Sequence, residues 1–245
     1  MKLLNSIKGL WFMLFSTKIF LPESVFRGKR VAVIGAADSA FKKENGEYIN
    51  SFDIIVRVNK APHSWSPEKA KFIGSRTDVL FHSFYENSES GGGPIDFELY
   101  NRLGIQFIVN PNHNLKGLWT HLNYYKRNQN NKTTYILARP FTEKITKNFG
   151  KWIPTVGFSA LQTVLNSKCR EVFITGFTFF KTPYARDYRN QLTNMRANQD
   201  HIKNQGLHNP DLEFKEFLKV LDKLKDSQTR IIMESTLLQI IEKHK

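Results

Sequence analysis

Residues 30–40 read RVAVIGAADSA: a short, mostly β-branched run is followed by a glycine and then by small side chains. Such a run is typical of a buried strand that ends in a tight turn. Six further short apolar runs follow it, and segments with helical periodicity lie between several of them. This alternation predicts a single α/β domain with a mostly parallel central sheet flanked by helices. The predicted strands are residues 30–34, 53–58, 78–81, 105–109, 135–137, 172–175 and 230–233.

The composition is that of a globular and strongly basic protein. Of 245 residues, 40% are hydrophobic and 24% are charged, which excludes a disordered chain. The 36 Lys and Arg against 22 Asp and Glu give a formal charge of +14, which favours an anionic partner: nucleic acid, an acidic membrane or a charged substrate. The one cysteine, Cys169, excludes an internal disulfide and a multi-cysteine metal site, and it fits a reducing compartment.

The first twenty residues have the pattern of an amphipathic helix. No stretch of the chain reaches the roughly 20 apolar residues that span a bilayer. We therefore expect residues 1–20 to form a helix on an anionic membrane surface, outside a domain of residues 28–245 that stays folded without it. The alternative is a terminal helix that packs on the domain and completes its core. The apolar stripe consists of Leu3, Leu4, Ile7, Leu10, Trp11, Leu14 and Phe15.

Two turns have the composition of a phosphate site. Both are expected near the carboxyl ends of the parallel strands, where open α/β sheets bind their ligands. Gly35 ends a predicted strand and precedes small residues that let a phosphate approach the backbone. Residues 154–159, PTVGFS, precede a helical stretch whose first N–H groups could hold an anion. The plain alternatives are a tight turn and an ordinary capped helix start. A polar segment, residues 181–206, is predicted to be a functional loop or lid.

His208 is the candidate general base. Asn209 is a good N-cap, Pro210 suits the first helical position, and Asp211 and Glu213 fill the first turn. His208 therefore precedes a helix N-terminus, whose positive end favours the neutral imidazole that a base requires. Glu213 is close enough to orient the ring or to oppose that effect. The alternative is a histidine that packs as a hydrophobic staple.

Several kinds of site have no support in the sequence. There is no D-x-D sequence and no H-E-x-x-H or similar metal-ligand spacing, so no metal is expected. The chain also has no G-x-G-x-x-G fingerprint, no Walker loop and no G-x-S-x-G nucleophile elbow.

In combination, these segments resemble the sialyltransferases of glycosyltransferase family 29. Residues 31–62 and 74–77 resemble sialyl motif L, residues 154–177 resemble motif S, and His208 with Glu213 has the H-x-x-x-x-E spacing of motif VS. Residues 176–187 are also similar to the bacterial sialyltransferases of family 42. The likeness covers residues 30–225, and it implies a Rossmann-like, GT-A-type fold.

The resemblance implies an inverting, metal-independent transferase that uses CMP-sialic acid or CMP-Kdo, with no other cofactor. His208 would be the base, assisted by Glu213, and Tyr184 would hydrogen-bond the departing phosphate. A hydroxyl and backbone N–H groups can stabilise that charge without a metal ion. The donor would be held by Gly35, Ala36, Asn59, Thr155, Gly157, Ser159, Gly176 and Phe177.

This chain departs from the family pattern at three positions. Ala36 stands where motif L usually has asparagine, so one polar contact is missing. Val31 replaces the motif L cysteine, so the disulfide with Cys169 found in animal enzymes cannot form. Phe180 stands where family 42 has tyrosine, which leaves phosphate stabilisation more dependent on Tyr184.

We therefore expect a bacterial enzyme at the cytoplasmic face of the membrane that builds lipopolysaccharide or capsule on a glycan or glycolipid acceptor. Two alternatives remain at this point. The charge of +14 would suit a nucleic-acid-binding protein, although no RNP, KH or zinc-finger signature is present. The alanine at position 36 would suit a homologue that binds CMP without catalysis, although His208 argues against it.

Overall fold

The computed structural model describes residues 2–86, 92–112, 114–189, 192 and 194–244, with only the backbone of Lys2 and Leu3, and these residues contain one parallel eight-stranded sheet. The strands are β1 (Thr17–Phe20), β2 (Arg30–Ile34), β3 (Ile54–Val58), β4 (Val79–Phe81), β5 (Phe107–Asn110), β6 (Thr134–Leu137), β7 (Glu171–Thr175) and β8 (Arg230–Met233).

Helices connect these strands, as parallel pairing requires. They are α1 (Lys2–Ser16), α2 (Pro22–Phe26), α3 (Gly46–Asn50), α4 (Ala61–Ser64), α5 (Ala70–Ile73), α6 (Phe97–Arg102), α7 (Leu115–Asn128), α8 (Arg139–Thr146), α9 (Val156–Leu165), α10 (Met195–Gln205), α11 (Pro210–Leu224) and α12 (Ser235–Glu242). The predicted α/β fold with a mostly parallel sheet is confirmed.

The strand order places a switch point in the middle of the sheet. The order is β1-β6-β5-β4-β3-β2-β7-β8, and each pair is parallel. From β2 the chain proceeds outward strand by strand to β6, then returns to build β7 on the other side of β2. Open α/β sheets bind ligands in the crevice at such a reversal, outside the carboxyl ends of the strands.

The N-terminal boundary differs from the prediction. The helix ends at Ser16 instead of residue 20, and the next four residues form the edge strand β1, which pairs with β6 from Thr17 to Phe20. Phe20 is 1% exposed and belongs to the main core cluster. The folded domain therefore begins at Thr17 and not at residue 28. A four-residue run directly after a helix has too little periodicity to be separated from that helix by pattern alone.

Helix α1 packs on α7 through the face opposite the predicted stripe. Gly9 makes the close approach: a Cβ atom there would lie 2.5 Å from Cγ of Lys126. Phe12 and Met13 pack against a buried cluster that includes Tyr124, whereas the described stripe side chains, Leu4 to Phe15, remain exposed. No helix among the described residues has the length and apolar character needed to cross a bilayer.

The segment 181–206 is only partly a loop. Its second half forms α10, which begins where the Asn194 side chain accepts a hydrogen bond from the Ala197 N–H (2.8 Å) and ends at left-handed Gly206. Capping at both ends explains a helix that lacks a strong apolar stripe. Residues 190, 191 and 193 lie outside the described residues.

A buried arginine joins two segments of the predicted motif L. Arg57 in β3 is 2% exposed, and its guanidinium donates to the Thr77 hydroxyl (2.9 Å) and to backbone carbonyls of Ile73 and Gly74. Burial lowers the pKa of Arg57 to about 10, so it stays charged at neutral pH. These hydrogen bonds of Arg57 fix the end of β3, which leads into Asn59.

Candidate active site

The centre of the site is the contact between the two loops that leave the switch point. The Gly35 N–H donates to Thr175 O (2.8 Å), which brings the turn after β2 against the turn after β7. A Cβ atom on Gly35 would lie 2.1 Å from the Gly176 carbonyl oxygen, and Gly176 itself has φ +73°. Both positions require glycine, because a side chain would clash at one and strain the backbone at the other.

Glu234, which follows β8, braces this contact from behind. Its carboxylate accepts from the Gly176 N–H (3.1 Å) and from the hydroxyls of Ser39 (2.6 Å) and Thr175 (2.5 Å). One side chain thus ties the ends of β7 and β8 to the loop after β2. No local sequence pattern points to Glu234, since its partners lie about 60 and 195 positions away.

The loop after Gly176 folds back over the loop after β2 and carries Tyr184 with it. Ala37 and Tyr184 form an isolated antiparallel bridge, and the Ala185 N–H donates to Ala36 O (2.8 Å). Within this loop Phe179 and Phe180 have φ +51° and +60°. Two consecutive left-handed residues that are not glycine are costly, and such strain is concentrated at functional sites.

Tyr184 lies in an aromatic and cationic environment. Its ring stacks on that of Tyr188 (5.4 Å between centroids, 21°), and Cζ of the buried Arg189 lies 5.8 Å from its centroid. Burial raises the pKa of Tyr184, while the neighbouring Arg189 opposes that shift. The hydroxyl therefore stays protonated at neutral pH, so it can donate a hydrogen bond to an anionic group.

The start of α9 is fixed by a buried carboxyl. The Thr155 side chain caps the helix by accepting from the Phe158 N–H (3.1 Å), and Glu213 accepts from the Thr155 N–H (2.6 Å) and hydroxyl (3.0 Å). Burial raises the pKa of Glu213 to about 8, against the effect of these two bonds. The predicted helix is present, but it begins at Val156, four residues before the stretch predicted after Ser159, because Thr155 caps it. Its first N–H groups lie at the end of the helix that lines the cleft.

His208 is oriented by the backbone and not by Glu213. Asn209 caps α11 and Pro210 is its first residue, as predicted. The His208 Nδ1 lies 2.6 Å from Ile153 O; since a carbonyl only accepts, Nδ1 carries the proton and Nε2 is the basic nitrogen of the neutral ring. Burial lowers the pKa of His208, and the cations Lys116 and Arg189 add to this effect.

Glu213 therefore has a different role from the one expected. Both of its described hydrogen bonds go to Thr155, and neither goes to the imidazole of His208. It is a positioning residue of the α9 turn. The contact between Thr155 and Glu213 can be recognised only in the folded structure, because the two residues are 58 positions apart in the sequence.

These elements enclose a cleft of about 470 Å³, within the range of small-molecule sites. Ten of the eleven predicted site residues line it: Gly35, Ala36, Asn59, Thr155, Gly157, Gly176, Phe177, Tyr184, His208 and Glu213. Ser159 does not. It lies one turn into α9, 3% exposed, and its carbonyl accepts from the Thr163 hydroxyl.

The cleft also contains residues that sequence reasoning missed. Lys116 of α7 and the buried Arg189 contribute positive charge, and Asn198 of α10 is 1% exposed with an unbonded Oδ1 among the described atoms. Polar residues inside 181–206 were the available signal, but only the packing of α10 over the cleft selects Asn198. Among the described residues, no group of three His, Cys, Asp or Glu side chains could hold a metal ion.

Comparisons with known proteins identify a sequence family and a fold. The sequence profile of glycosyltransferase family 29 (sialyltransferase) matches residues 10–225. No curated protein sequence matches the chain significantly.

Solved sialyltransferases have a similar fold. A mammalian sialyltransferase in complex with Gal-β-1-3GalNAc-ortho-nitrophenol superposes with a TM-score of 0.56 at 18% identity, over 91% of this chain and 78% of that one. The monofunctional α-2,3-sialyltransferase Cst-I from Campylobacter jejuni gives 0.54 at 13% identity, over 86% and 78%. The sialyltransferase CST-II, in complex with a trisaccharide acceptor and CMP, gives 0.52 at 15% identity, over 86% and 83%.

Proposed function

The chain belongs to glycosyltransferase family 29, the sialyltransferases, and we propose that it transfers an ulosonic acid, sialic acid or Kdo, from a CMP-activated donor to a hydroxyl of a glycan. The observation that carries this proposal is the pairing of a base and an acid in one cleft. His208 offers an unprotonated Nε2, and Tyr184 offers a protonated hydroxyl.

The cleft suits a donor of this kind, which carries a phosphate and a carboxylate. The N-terminus of α9 provides backbone N–H groups beside Thr155 and Gly157, and helix N-termini favour anions. Lys116 and Arg189 add two cations to the lining. The contact of Gly35 with Gly176 holds the loops after β2 and β7 together, and both glycines line the cleft.

The proposed reaction is a displacement with inversion at the anomeric carbon. Nε2 of His208 takes the proton of the acceptor hydroxyl as its oxygen bonds to the anomeric carbon, and the bond from that carbon to the phosphate oxygen breaks. CMP leaves with the bonding electrons, and the Tyr184 hydroxyl donates to its phosphate. No step requires a metal ion, so activity should survive EDTA.

The acceptor that fits best is a lipid-linked or cell-surface glycan, made at the cytoplasmic face of a bacterial membrane during lipopolysaccharide or capsule synthesis. The support is chemical: the chain is strongly basic, and α1 exposes an apolar stripe instead of burying it. An enzyme that meets its acceptor at an anionic surface gains from both features.

The base assignment is tested with His208→Gln. We expect kcat to fall by about 10²-fold or more while CMP affinity changes less than about threefold, because the imidazole acts on the acceptor. His244→Gln is the matched control, since the Nδ1 of His244 also bonds a backbone carbonyl, Ile240 O (2.8 Å), on the surface. Turnover of the His208 variant above about a tenth of the wild-type rate would contradict the assignment.

The donor is identified by measuring CMP release from CMP-sialic acid and from CMP-Kdo, each without acceptor and with EDTA. The donor from which CMP is released faster identifies the sugar that the enzyme transfers. NMR of the transferred residue should show the anomeric configuration opposite to that of the donor. CMP binding without release from either donor would instead indicate an inactive homologue.

A further inference from the structure

Helices α1 and α7, which pack on each other, both expose large apolar side chains that the proposed chemistry does not use. We define the apolar face as Leu10, Trp11, Leu14 and Phe15 of α1 with Leu115 and Trp119 of α7. All six side chains are exposed, Leu14 by 69%, Phe15 by 72% and Leu115 by 86%. Large apolar side chains that are grouped on a surface mark an interaction site.

The two helices lie directly against each other. Gly9 lets α1 lie directly on Lys126 of α7, and Nζ of that lysine lies 5.6 Å from the centroid of the Trp119 ring. The rings of Trp11 and Phe15 lie 4.8 Å apart between centroids, tilted by 41°, on the outer side of α1. The Lys126 stem therefore contacts both Gly9 of α1 and Trp119 of α7, and long lysine stems cover apolar surface while the charge stays in solvent.

The two helices that carry the apolar face contain charged residues of one sign only. Residues 1–22 and 99–142, which include both helices, contain nine Lys and Arg and no Asp or Glu. Arg127 is already paired with Glu86 (2.6 Å), so the available cations beside the face are chiefly Lys8, Lys18, Lys116 and Lys126. An apolar face with aromatic rings and a cationic border is complementary to the surface of an anionic bilayer.

We propose that the apolar face docks the protein on an anionic lipid bilayer. Helix α1 lies in the membrane interface without crossing the membrane. Its apolar stripe is exposed in the isolated protein because lipid, and not another part of the chain, covers it in the docked state. Docking also orients the cleft. The N-terminal end of α7 carries Leu115 and Trp119, and the same end lines the cleft through Asn114, Lys116 and Thr120. Only this last point, that a lipid-linked acceptor reaches the cleft from the bilayer, rests on the proposed function.

The test is flotation of the full-length chain with vesicles of phosphatidylglycerol and phosphatidylcholine, compared with vesicles of phosphatidylcholine alone. We expect binding to the anionic vesicles only, and release when NaCl rises from about 0.05 M to about 0.5 M, which shortens the screening length. The fluorescence of Trp11 and Trp119 should shift to the blue, and replacing each by phenylalanine in turn shows which ring reports it.

Matched variants separate the face from the rest of the surface. Leu14→Gln with Phe15→Gln, and separately Leu115→Gln with Trp119→Gln, should weaken vesicle binding by at least about tenfold, given the apolar area removed. Leu238→Gln, on the exposed side of α12, should not change it. Lys8→Gln with Lys18→Gln should reduce the salt dependence, whereas Lys215→Gln with Lys223→Gln on α11 should not.

Three outcomes would overturn the proposal. The first is vesicle binding at the wild-type level by both double variants of the apolar face. The second is equal binding to neutral and anionic vesicles. The third is a protein that binds no vesicles and forms a dimer that the Leu14 and Phe15 changes dissociate, which would make a second copy of the chain the occupant of the face. Release of CMP from the donor in solution serves as the independent readout. It should be unchanged in all face variants, so loss of docking and failure of the proposed reaction are distinguishable.

Discussion

Individual side chains in the cleft are positioned mainly by hydrogen bonds to backbone groups. Ile153 O holds His208, and the Thr155 N–H holds Glu213. The two contacts are two residues apart in the turn that leads from α8 into α9, so this turn sets both the tautomer of the base and the location of the α9 N-terminus. Backbone partners cannot change rotamer, and rigid support of this kind favours a preorganised site.

Tyr184 and Tyr188 allow the same chemical change to be compared at two stacked rings. Tyr184→Phe should lower kcat by about 10²-fold, the effect of losing one donor to a developing negative charge. Tyr188→Phe loses a bond to Val58 O (3.3 Å) and the hydrogen bonding of the same hydroxyl to the Asn59 side chain and the Lys60 backbone. We therefore expect about 1 kcal/mol of lost stability and a much smaller change in kcat. Steady-state kinetics and urea unfolding of both variants check this. A similar kcat loss in the two would show that the effect is structural.

Among the secondary-structure elements, β2, β7 and α9 build the donor end of the cleft. Gly35 and Gly176 close the switch point, and Gly157 lies in the first turn of α9. These glycines are not equivalent. A Cβ on Gly35 would meet backbone at 2.1 Å, whereas a Cβ on Gly157 would meet only Cε1 of Phe177 at 3.5 Å, an ordinary contact.

The difference predicts opposite results for two alanine substitutions. Gly35→Ala should destabilise the fold, because the turns after β2 and β7 must separate. Gly157→Ala should leave stability unchanged or raise it by up to about 1 kcal/mol, as alanine favours the helix. It should still raise the Kd for CMP, since the new methyl group projects where the donor approaches. Calorimetric titration and thermal unfolding measure both quantities. Unchanged CMP affinity in a stable Gly157→Ala protein would remove Gly157 from the donor site.

For the molecule as a whole, buried ionisable groups should couple stability to pH. Burial lowers the pKa of His82 to about 4 and that of His121 to about 3, so both are neutral when folded and destabilise the fold as pH falls below about 6.5. Glu213 acts in the opposite direction. Its pKa rises to about 8 from 4.5, so its relative contribution is largest below pH 4.5 and is lost as pH rises toward 8.

Glu213→Gln isolates that contribution. The free energy of unfolding of the wild type, relative to the variant, should decrease by about 1.4 kcal/mol per pH unit as pH rises between about 5 and 7. Urea unfolding at constant ionic strength measures it. Glu216→Gln, on the same helix, is the control: the pKa of Glu216 is lowered, so its slope should be small and of the opposite sign. A pH-independent difference for Glu213→Gln would mean that the carboxyl is ionised in the folded protein.

Local patterns in the chain were enough to predict much of this architecture. Seven of the eight strands and the α11 start at Asn209 depend on runs and caps within a few residues. The order of residues 31–62, 154–177 and 208–213 also identified the family. Neighbouring residues decide such features, because strand burial and helix capping are satisfied locally.

Contacts between distant parts of the chain required the tertiary structure. The run Thr17–Phe20 becomes a strand only because β6 offers an edge more than a hundred positions away. Glu213 accepts a hydrogen bond from Thr155, and Glu234 accepts one from Gly176. Arg189 and Asn198 line the cleft only after α10 and the loop before it have packed. The exposure of Leu14 and Phe15 was decided by which face of α1 met α7. An amphipathic pattern shows that a helix has an apolar side, but the packing partner determines whether that side is buried.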